Sequence, residues 1–215
     1  TRLSRGTVVG HLMECAAQIT GGYFADPGYK EVAGLARVGF PIAEVESDGS
    51  GVITKLAAAG GLVDERTVKE QLFYEVHDPA CYLTPDVTAD FTRVRLHANG
   101  QDRVGVSGAD GSQRPDHLKV TVAFDGGQLA EAGISYAGPG ARERGQLAAD
   151  IVNERMTQVH ATNAPLRVDL IGVSSLHATA KHYDSNAKDV RLHCALRGSS
   201  REEAELLLWE VESLL

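Results

Sequence analysis

HLKVTVAFDGGQLAEAGISYAGPGARERGQLAADIVNERMTQV, residues 117–159, decides the fold class. Apolar residues at 118, 120, 122 and 124 alternate as they do on a half-buried strand. Asp125-Gly126-Gly127 has hairpin-turn composition, and residues 128–137 read as the returning strand. Gly138-Pro139-Gly140 then opens a helical pattern to about Val159, with Leu147, Ile151, Val152 and Val159 expected to face in. Further on, RVDLIGV (167–173) reads as a buried strand and DVRLHCALRG (189–198) alternates strictly. The last helix starts with a capping box from Ser200 to Glu203 and an acidic first turn. The order is strand, strand, helix, strand, strand, helix. That predicts an α+β fold with mostly antiparallel sheets and helices packed on one face.

Upstream, the pattern predicts a helix over about 5–20, stopped by Gly21-Gly22. PIAEVE and GVITK flank Asp48-Gly49-Ser50 as a hairpin, and FTRVRLHA pairs with RVGVSG across Asn99-Gly100. Asp64 caps a helix with Val68, Leu72 and Val76 inward. HDPACYLTPD (77–86), with two prolines, predicts an ordered, extended loop. The turn-rich GADGSQRPD (108–116) marks a soft boundary between a motif-bearing α/β portion, 1–110, and the α+β layer, 111–215.

The chain has 215 residues, enough for one or two cored domains. Its 21 basic and 29 acidic residues give a net charge of −8, which argues against a nucleic-acid binder or an anionic-membrane module. No membrane span or signal segment is evident. Cys15, Cys81 and Cys194 are odd in number and scattered, so neither a disulfide framework nor a CxxC metal knuckle is expected, and a cytoplasmic setting is the default. The chain opens at Thr1 and stops in an apolar helical run, as one piece of a longer protein would.

GHLMECAAQITGG (10–22) carries the first candidate chemistry. At helical spacing His11, Glu14, Cys15 and Gln18 form one polar stripe opposite Val8, Val9, Leu12, Met13 and Ala16. Three readings stand: a satisfied structural stripe, an acid–base or substrate-contacting stripe with Glu14 orienting His11, or a metal site using the i, i+3 pair. A metal would need further ligands, and no second motif supplies them. The loops ITGG (19–22), AAGG (58–61) and AGPG (137–140, with Gly138 and Gly140) are either plain turns or anion cradles at helix starts. Lys55, ending the GVITK strand, is either solvated or a carbonyl or phosphate partner. His77, Asp78 and Tyr82 could line a pocket, or Asp78 could simply bond its own loop. Cys194 reads as a core residue, and His177, His182 and Tyr183 show no ligand spacing.

GHLMECAAQITGG, DGSGVITK, GGLVDERTVKEQLFYEVHDPACYLTPDV and ISYAGPGA closely resemble the acyclic terpene utilisation (AtuA-type) family, most specifically over 62–87. The likeness runs through nearly the whole chain. It implies the later half of a larger core, normally preceded by an α/β region of similar size, with a small C-terminal domain in some members. That preceding region or another chain is the protein partner the resemblance implies; a small-molecule substrate and a possible homo-oligomer are further expectations. It also implies bacterial catabolism of acyclic terpenoids such as citronellol and geraniol through branched acyl-CoA thioesters, with coenzyme A only as part of the substrate. By position, His11, Glu14, Cys15, Gln18, Thr20, Gly21 and Gly22 match the family's first motif. Asp48, Gly49, Thr54 and Lys55 match the second, and Gly60, Gly61, Asp78, Tyr82, Thr84 and Asp86 the third. Ala16 departs from a frequent glycine, Leu56-Ala57-Ala58-Ala59 replaces a more polar loop, and His77 falls where the pattern is not fixed. Two functions follow as expectations. One is a hydratase- or lyase-type enzyme acting on a branched acyl-CoA or related acid, using His11 and Glu14 for proton transfer and Lys55 or a glycine loop to polarise a carbonyl. The other is a non-catalytic subunit whose stripe docks a partner.

Overall fold

A computed structural model describes residues 1–176 and 186–215; His177, His182 and Tyr183 lie outside them. The chain divides into two compact units, Thr1–Thr121 and Val122–Leu215.

The first unit opens with α1 (Arg2–Met13), whose Val8 and Leu12 are fully buried. β1 (Ile42–Val45) and β2 (Gly51–Thr54) form the hairpin expected around Asp48-Gly49-Ser50. α2 (Glu65–Phe73) is capped by Asp64, which accepts from the Arg66 and Thr67 amides. Short strands β3 (Tyr82–Leu83) and β4 (Thr88–Asp90) follow, then β5 (Arg95–Ala98), β6 (Arg103–Ser107) and β7 (Asp110–Ser112). These make two antiparallel sheets, ordered β1-β2-β6-β5 and β3-β4-β7. Val8, Leu12, Ile53, Val68 and Val104 meet between α1, α2 and the larger sheet.

The helix expected to reach residue 20 ends at Met13. Ala16 takes a left-handed φ of +48°, and a separate 3-10 turn covers Ala16–Gln18. The polar stripe is therefore bent: His11 and Glu14 stay at the helix end, while Gln18 turns inward and is 4% exposed.

The second unit contains β8 (Gln128–Ala137), α3 (Ala141–Glu154) with a π-turn over Arg155–Val159, β9 (Leu166–Ile171), β10 (Asp189–Gly198) and α4 (Arg201–Glu212). The sheet is antiparallel with order β8-β10-β9. Val190, Leu192, Cys194 and Leu196 of β10 are buried at alternate positions, as period-two patterning requires. α3 and α4 cover that face, so the α+β fold with helices on one face of an antiparallel sheet is what the chain adopts.

Two expectations fail here. Residues 117–124 form no strand and no hairpin with β8. Leu147 and Val159 are each 60% exposed, because the inner stripe of α3 is built from Gly145, Ala148, Ala149 and Val152 and the π-turn brings Met156 inward instead. Small residues let the helix approach: a Cβ on Gly145 would lie 2.7 Å from a Leu170 methyl. Periodicity weighted towards large side chains misses such a face. The last helix is capped as expected by Ser200, which accepts from the Glu203 amide, but the Glu203 carboxylate returns to the Ser199 amide, one residue earlier than the box predicts. Among the described residues no helix is long and apolar enough to cross a membrane.

Candidate active site

Two helix ends build the site. Stopping α1 at Met13 leaves its last carbonyls without intrahelical partners, and the end of α2 does the same. The two ends serve each other. Gln71 Nε2 donates to the His11 carbonyl at 2.9 Å, and His11 Nε2 lies 3.2 Å from the Leu72 carbonyl. A carbonyl only accepts, so Nε2 carries a proton.

That fixes what the other ring nitrogen can do. His11 Nδ1 sits 2.8 Å from Glu14 Oε1, close enough for an ion pair, although not aligned as a hydrogen bond. With Nε2–H committed, a neutral ring would point its Nδ1 lone pair at a carboxylate oxygen, which is repulsive. A proton at Nδ1 or on the carboxyl removes the conflict. The His11 side chain is 1% exposed and that of Glu14 is 46% exposed, so Glu14 is the member solvent or substrate can reach.

These residues line a cleft of about 620 Å³ whose other walls are Glu75, His77, Asp78, Cys81, Tyr82, Leu83 and Lys119. Tyr82 is held by ring contacts: its centroid is 5.3 Å from His11 and 4.9 Å from Phe91, which it stacks on. Burial first, then the nearby Glu14, Cys15 and Glu75, push the Tyr82 phenol up, so it remains a protonated donor. Asp78 Oδ1 accepts from the Ala80 amide at 2.9 Å, a bond within its own loop, and Asp78 also lines the cleft. Glu75, at φ +54°, takes the left-handed position just past α2, where glycine is usual. Its charge and hydrogen bond raise the neighbouring Tyr74 hydroxyl.

The other sequence candidates form a different constellation. Lys55, 5% exposed, donates to the Ala59 carbonyl at 2.9 Å and lies 3.4 Å from Asp102 Oδ2. Asp102 also accepts from the Val63 amide, and its carbonyl takes the Thr54 hydroxyl. Lys55 thus fastens the 56–61 loop and is not among the residues lining the cleft. The glycine loops are equally committed. The amides of Gly21, Gly22, Gly60 and Gly61 donate to the carbonyls of Gln18, Ala17, Arg37 and Ala33, and none is left over for an anion. Thr20 joins in through its hydroxyl to Gly39 and Ala17 and its carbonyl to Leu62. Gly60 is required by close approach, since a Cβ there would lie 2.0 Å from the Gly34 oxygen. Gly138 and Gly140 belong to the second unit. The Gly138 amide donates to Lys188, and Arg144 fills the turn by bonding the Pro139 and Ala137 carbonyls.

A larger hollow of about 760 Å³ touches Gly61, Asp64, Arg66, Asp102 and Arg103. Its arginines are already paired, Arg66 with Asp64 and Arg103 with Glu44, so neither guanidinium is free for an anion. Among the described residues no group of three or more His, Cys, Asp or Glu is placed to hold a metal ion. Burial pushes the Cys194 thiol up to about 11, in keeping with a core residue.

Of the residues lining the cleft, the sequence singles out His11, Glu14, His77, Asp78 and Tyr82 as candidates but not Glu75, Cys81, Leu83 or Lys119. Lys119 comes from a stretch that reads as a strand, and the left-handed Glu75 has no glycine to announce it. No curated protein and no solved structure gives a match to the chain. The family model for the acyclic terpene utilisation family protein AtuA, however, matches residues 1–215 throughout, and it is to this family that the chain belongs.

Proposed function

We propose that this chain forms the acid–base part of an enzyme of acyclic terpenoid catabolism, acting next to the carbonyl of a branched acyl-CoA thioester or related ester. The observation that carries the proposal is the 2.8 Å approach of His11 Nδ1 to Glu14 Oε1 at the wall of the cleft. Glu14 exchanges a proton with substrate, and His11, fixed through Nε2 to the Leu72 carbonyl, holds Glu14 in place from Nδ1. The Tyr82 phenol donates to the substrate carbonyl as negative charge develops there. Glu14, Glu75 and Asp78 outnumber Lys119 in the cleft, which favours a neutral reacting group over a free carboxylate. Addition or elimination of water fits this set, with Glu14 moving the proton and Tyr82 polarising the acyl group.

Glu14→Gln keeps the shape and removes the proton acceptor. In the full-length protein it should leave the melting transition within about 0.5 kcal/mol of wild type and abolish growth of the host on an acyclic terpenoid as carbon source. Undiminished growth with Glu14→Gln removes the acid–base assignment.

A further inference from the structure

One wall residue of the cleft sits in a backbone conformation that its side chain makes costly. Glu75 directly follows the Tyr74 cap of α2 and holds φ +54°, a left-handed position that glycine would take without strain. The bend itself has a use. The Tyr74 amide donates to the Gln71 carbonyl and the Val76 amide to the Phe73 carbonyl, closing the end of α2. Val76 then packs on the core, and the residues after it bring His77, Asp78 and Tyr82 to the cleft. A glycine would make the same bend, so the bend does not explain a glutamate. Nor does packing: Glu75 is exposed, and among the described residues it has no ion-pair partner, only the neighbouring Tyr74 hydroxyl. What the glutamate adds is a carboxylate lining the cleft. Strained residues of this kind cluster at functional sites.

A second observation marks the same place. His11 Nδ1 is buried, belongs to the lining of this cleft and has no hydrogen-bond partner, which leaves a polar atom for a ligand to meet. Glu14 and Glu75 both lie close enough to Tyr82 to act on its phenol. One proton-donating hydroxyl therefore has two carboxylates within electrostatic range.

We propose that Glu75 is a further catalytic residue of the cleft, the one that handles water; the assignment rests on the acid–base role proposed above for Glu14. Adding water across a carbon–carbon double bond next to a thioester carbonyl moves two protons at two places. One leaves the water oxygen as that oxygen bonds to the β-carbon. The other arrives at the α-carbon, which takes up the electron pair of the double bond. Glu75 accepts the first proton and Glu14 delivers the second, while Tyr82 donates to the carbonyl oxygen. One carboxyl gains a proton and the other loses one, and solvent resets both. Elimination runs the same path backwards. The other polar groups of the cleft fit this task less well. Asp78 Oδ1 is tied to the Ala80 amide, a lysine ammonium has no lone pair to accept a proton, and a thiol is a weak acceptor. His77 sits on ordinary backbone, so Glu75 is the one held in place at a cost.

Thermal melts of the full-length protein, paired with growth of the host on an acyclic terpenoid, test this. Glu75→Gln keeps the shape and the strain and should abolish growth with Tm within about 2 °C of wild type. Glu75→Gly should raise Tm by roughly 1–4 °C, because glycine relieves the left-handed strain, and should abolish growth as well. A protein that is more stable yet inactive does not owe its loss to unfolding. Undiminished growth with either variant overturns the proposal, and so does a fall in Tm for Glu75→Gly, which would show that the position is not strained. Glu14→Gln, run alongside, tells two failures apart. If it loses growth while Glu75→Gln keeps it, Glu75 alone is wrongly assigned. If it grows normally, the acid–base reading has failed and the role of Glu75 falls with it.

Discussion

In Thr1–Thr121 the buried side chains include Ser4, His11, Gln18, Thr20, Thr54, Thr67 and Gln71, whereas in Val122–Leu215 Glu210 is the one buried polar side chain among the described residues. The second unit is an ordinary two-layer core, with the Leu192, Cys194 and Leu196 face of one strand covered by two helices. The first is tied by polar links between segments far apart in sequence, among them Gln71 to His11, Lys55 to Asp102 and Leu62 to Thr20. It also leaves Gln18 Oε1 and Gln71 Oε1 buried without a partner. Buried polar atoms cost stability unless satisfied, so their concentration in one unit marks where the fold gives up stability to position groups. That unit holds the cleft. The contrast separates substitutions that break scaffolding from those that break chemistry.

The sharpest way to break it is Lys55→Met. The change keeps the aliphatic stem but removes the cation paired with Asp102 Oδ2 and leaves the Ala59 carbonyl without its donor, while the Val63 amide still serves Asp102 Oδ1. A loss of roughly 2–4 kcal/mol is expected by chemical denaturation, with growth on a terpenoid retained below the melting transition. If stability were unchanged and growth lost, Lys55 would move from scaffolding to chemistry, and the division of labour drawn here for the first unit would be wrong.

Next comes Glu210, where the second unit makes its one comparable commitment. Arg155 bonds the carboxylate through two nitrogens and His160 Nε2 lies 2.6 Å from Oε1. Arg155 holds the Glu210 carboxyl below its ordinary 4.5, against burial and with help from His160. A lowered folded-state value means the contribution is complete above the unfolded value and is lost as pH falls through the folded one. Glu210→Gln should therefore cost about 1–3 kcal/mol near neutrality and flatten the acid limb of the stability curve below about pH 4.5. Equal slopes for variant and wild type over that range would show that the Glu210 pairing does not set the acid limb.

What the sequence shows of each unit follows the same contrast. The second unit is legible because its contacts are periodic: β9, β10, α3 and α4 lie close to where alternation and capping put them. In the first unit the local signals also hold, since Asp48-Gly49-Ser50, Asn99-Gly100 and Asp64 act as turns and a cap. The long-range polar ties do not show. Nothing about Gln71 in isolation says that it reaches the His11 carbonyl 60 residues away. The glycine pairs invite an anion-binding reading because a sequence displays their free amides and hides the carbonyls that use them. The 117–124 stretch misleads in the opposite way: it carries a strand's alternation, but among the described residues no strand pairs with it.

The smallest expected effect concerns the point where α1 breaks. Ala16 holds φ +48°, a region in which an alanine Cβ crowds the following carbonyl. Glycine, which the sequence resemblance leads one to expect here, removes that crowding but gives the unfolded chain more freedom, so the two effects partly offset. Ala16→Gly should raise stability by about 0.5–1 kcal/mol, an upward shift of roughly 1–4 °C in Tm for a chain of this size. Ala16 follows Glu14 and Cys15 directly, so growth on a terpenoid separates two origins of the strain. Gain in Tm with growth intact means the strain is the residue of a lost glycine and the His11–Glu14 pair is held by α1 and α2 alone. Gain in Tm with growth lost means the strained backbone itself aims Glu14 into the cleft, as strain kept at functional sites can do. A fall in Tm would instead show that Ala16 is not strained, and the break in α1 would then need another cause, with the Gln71 tie to His11 as the one to test.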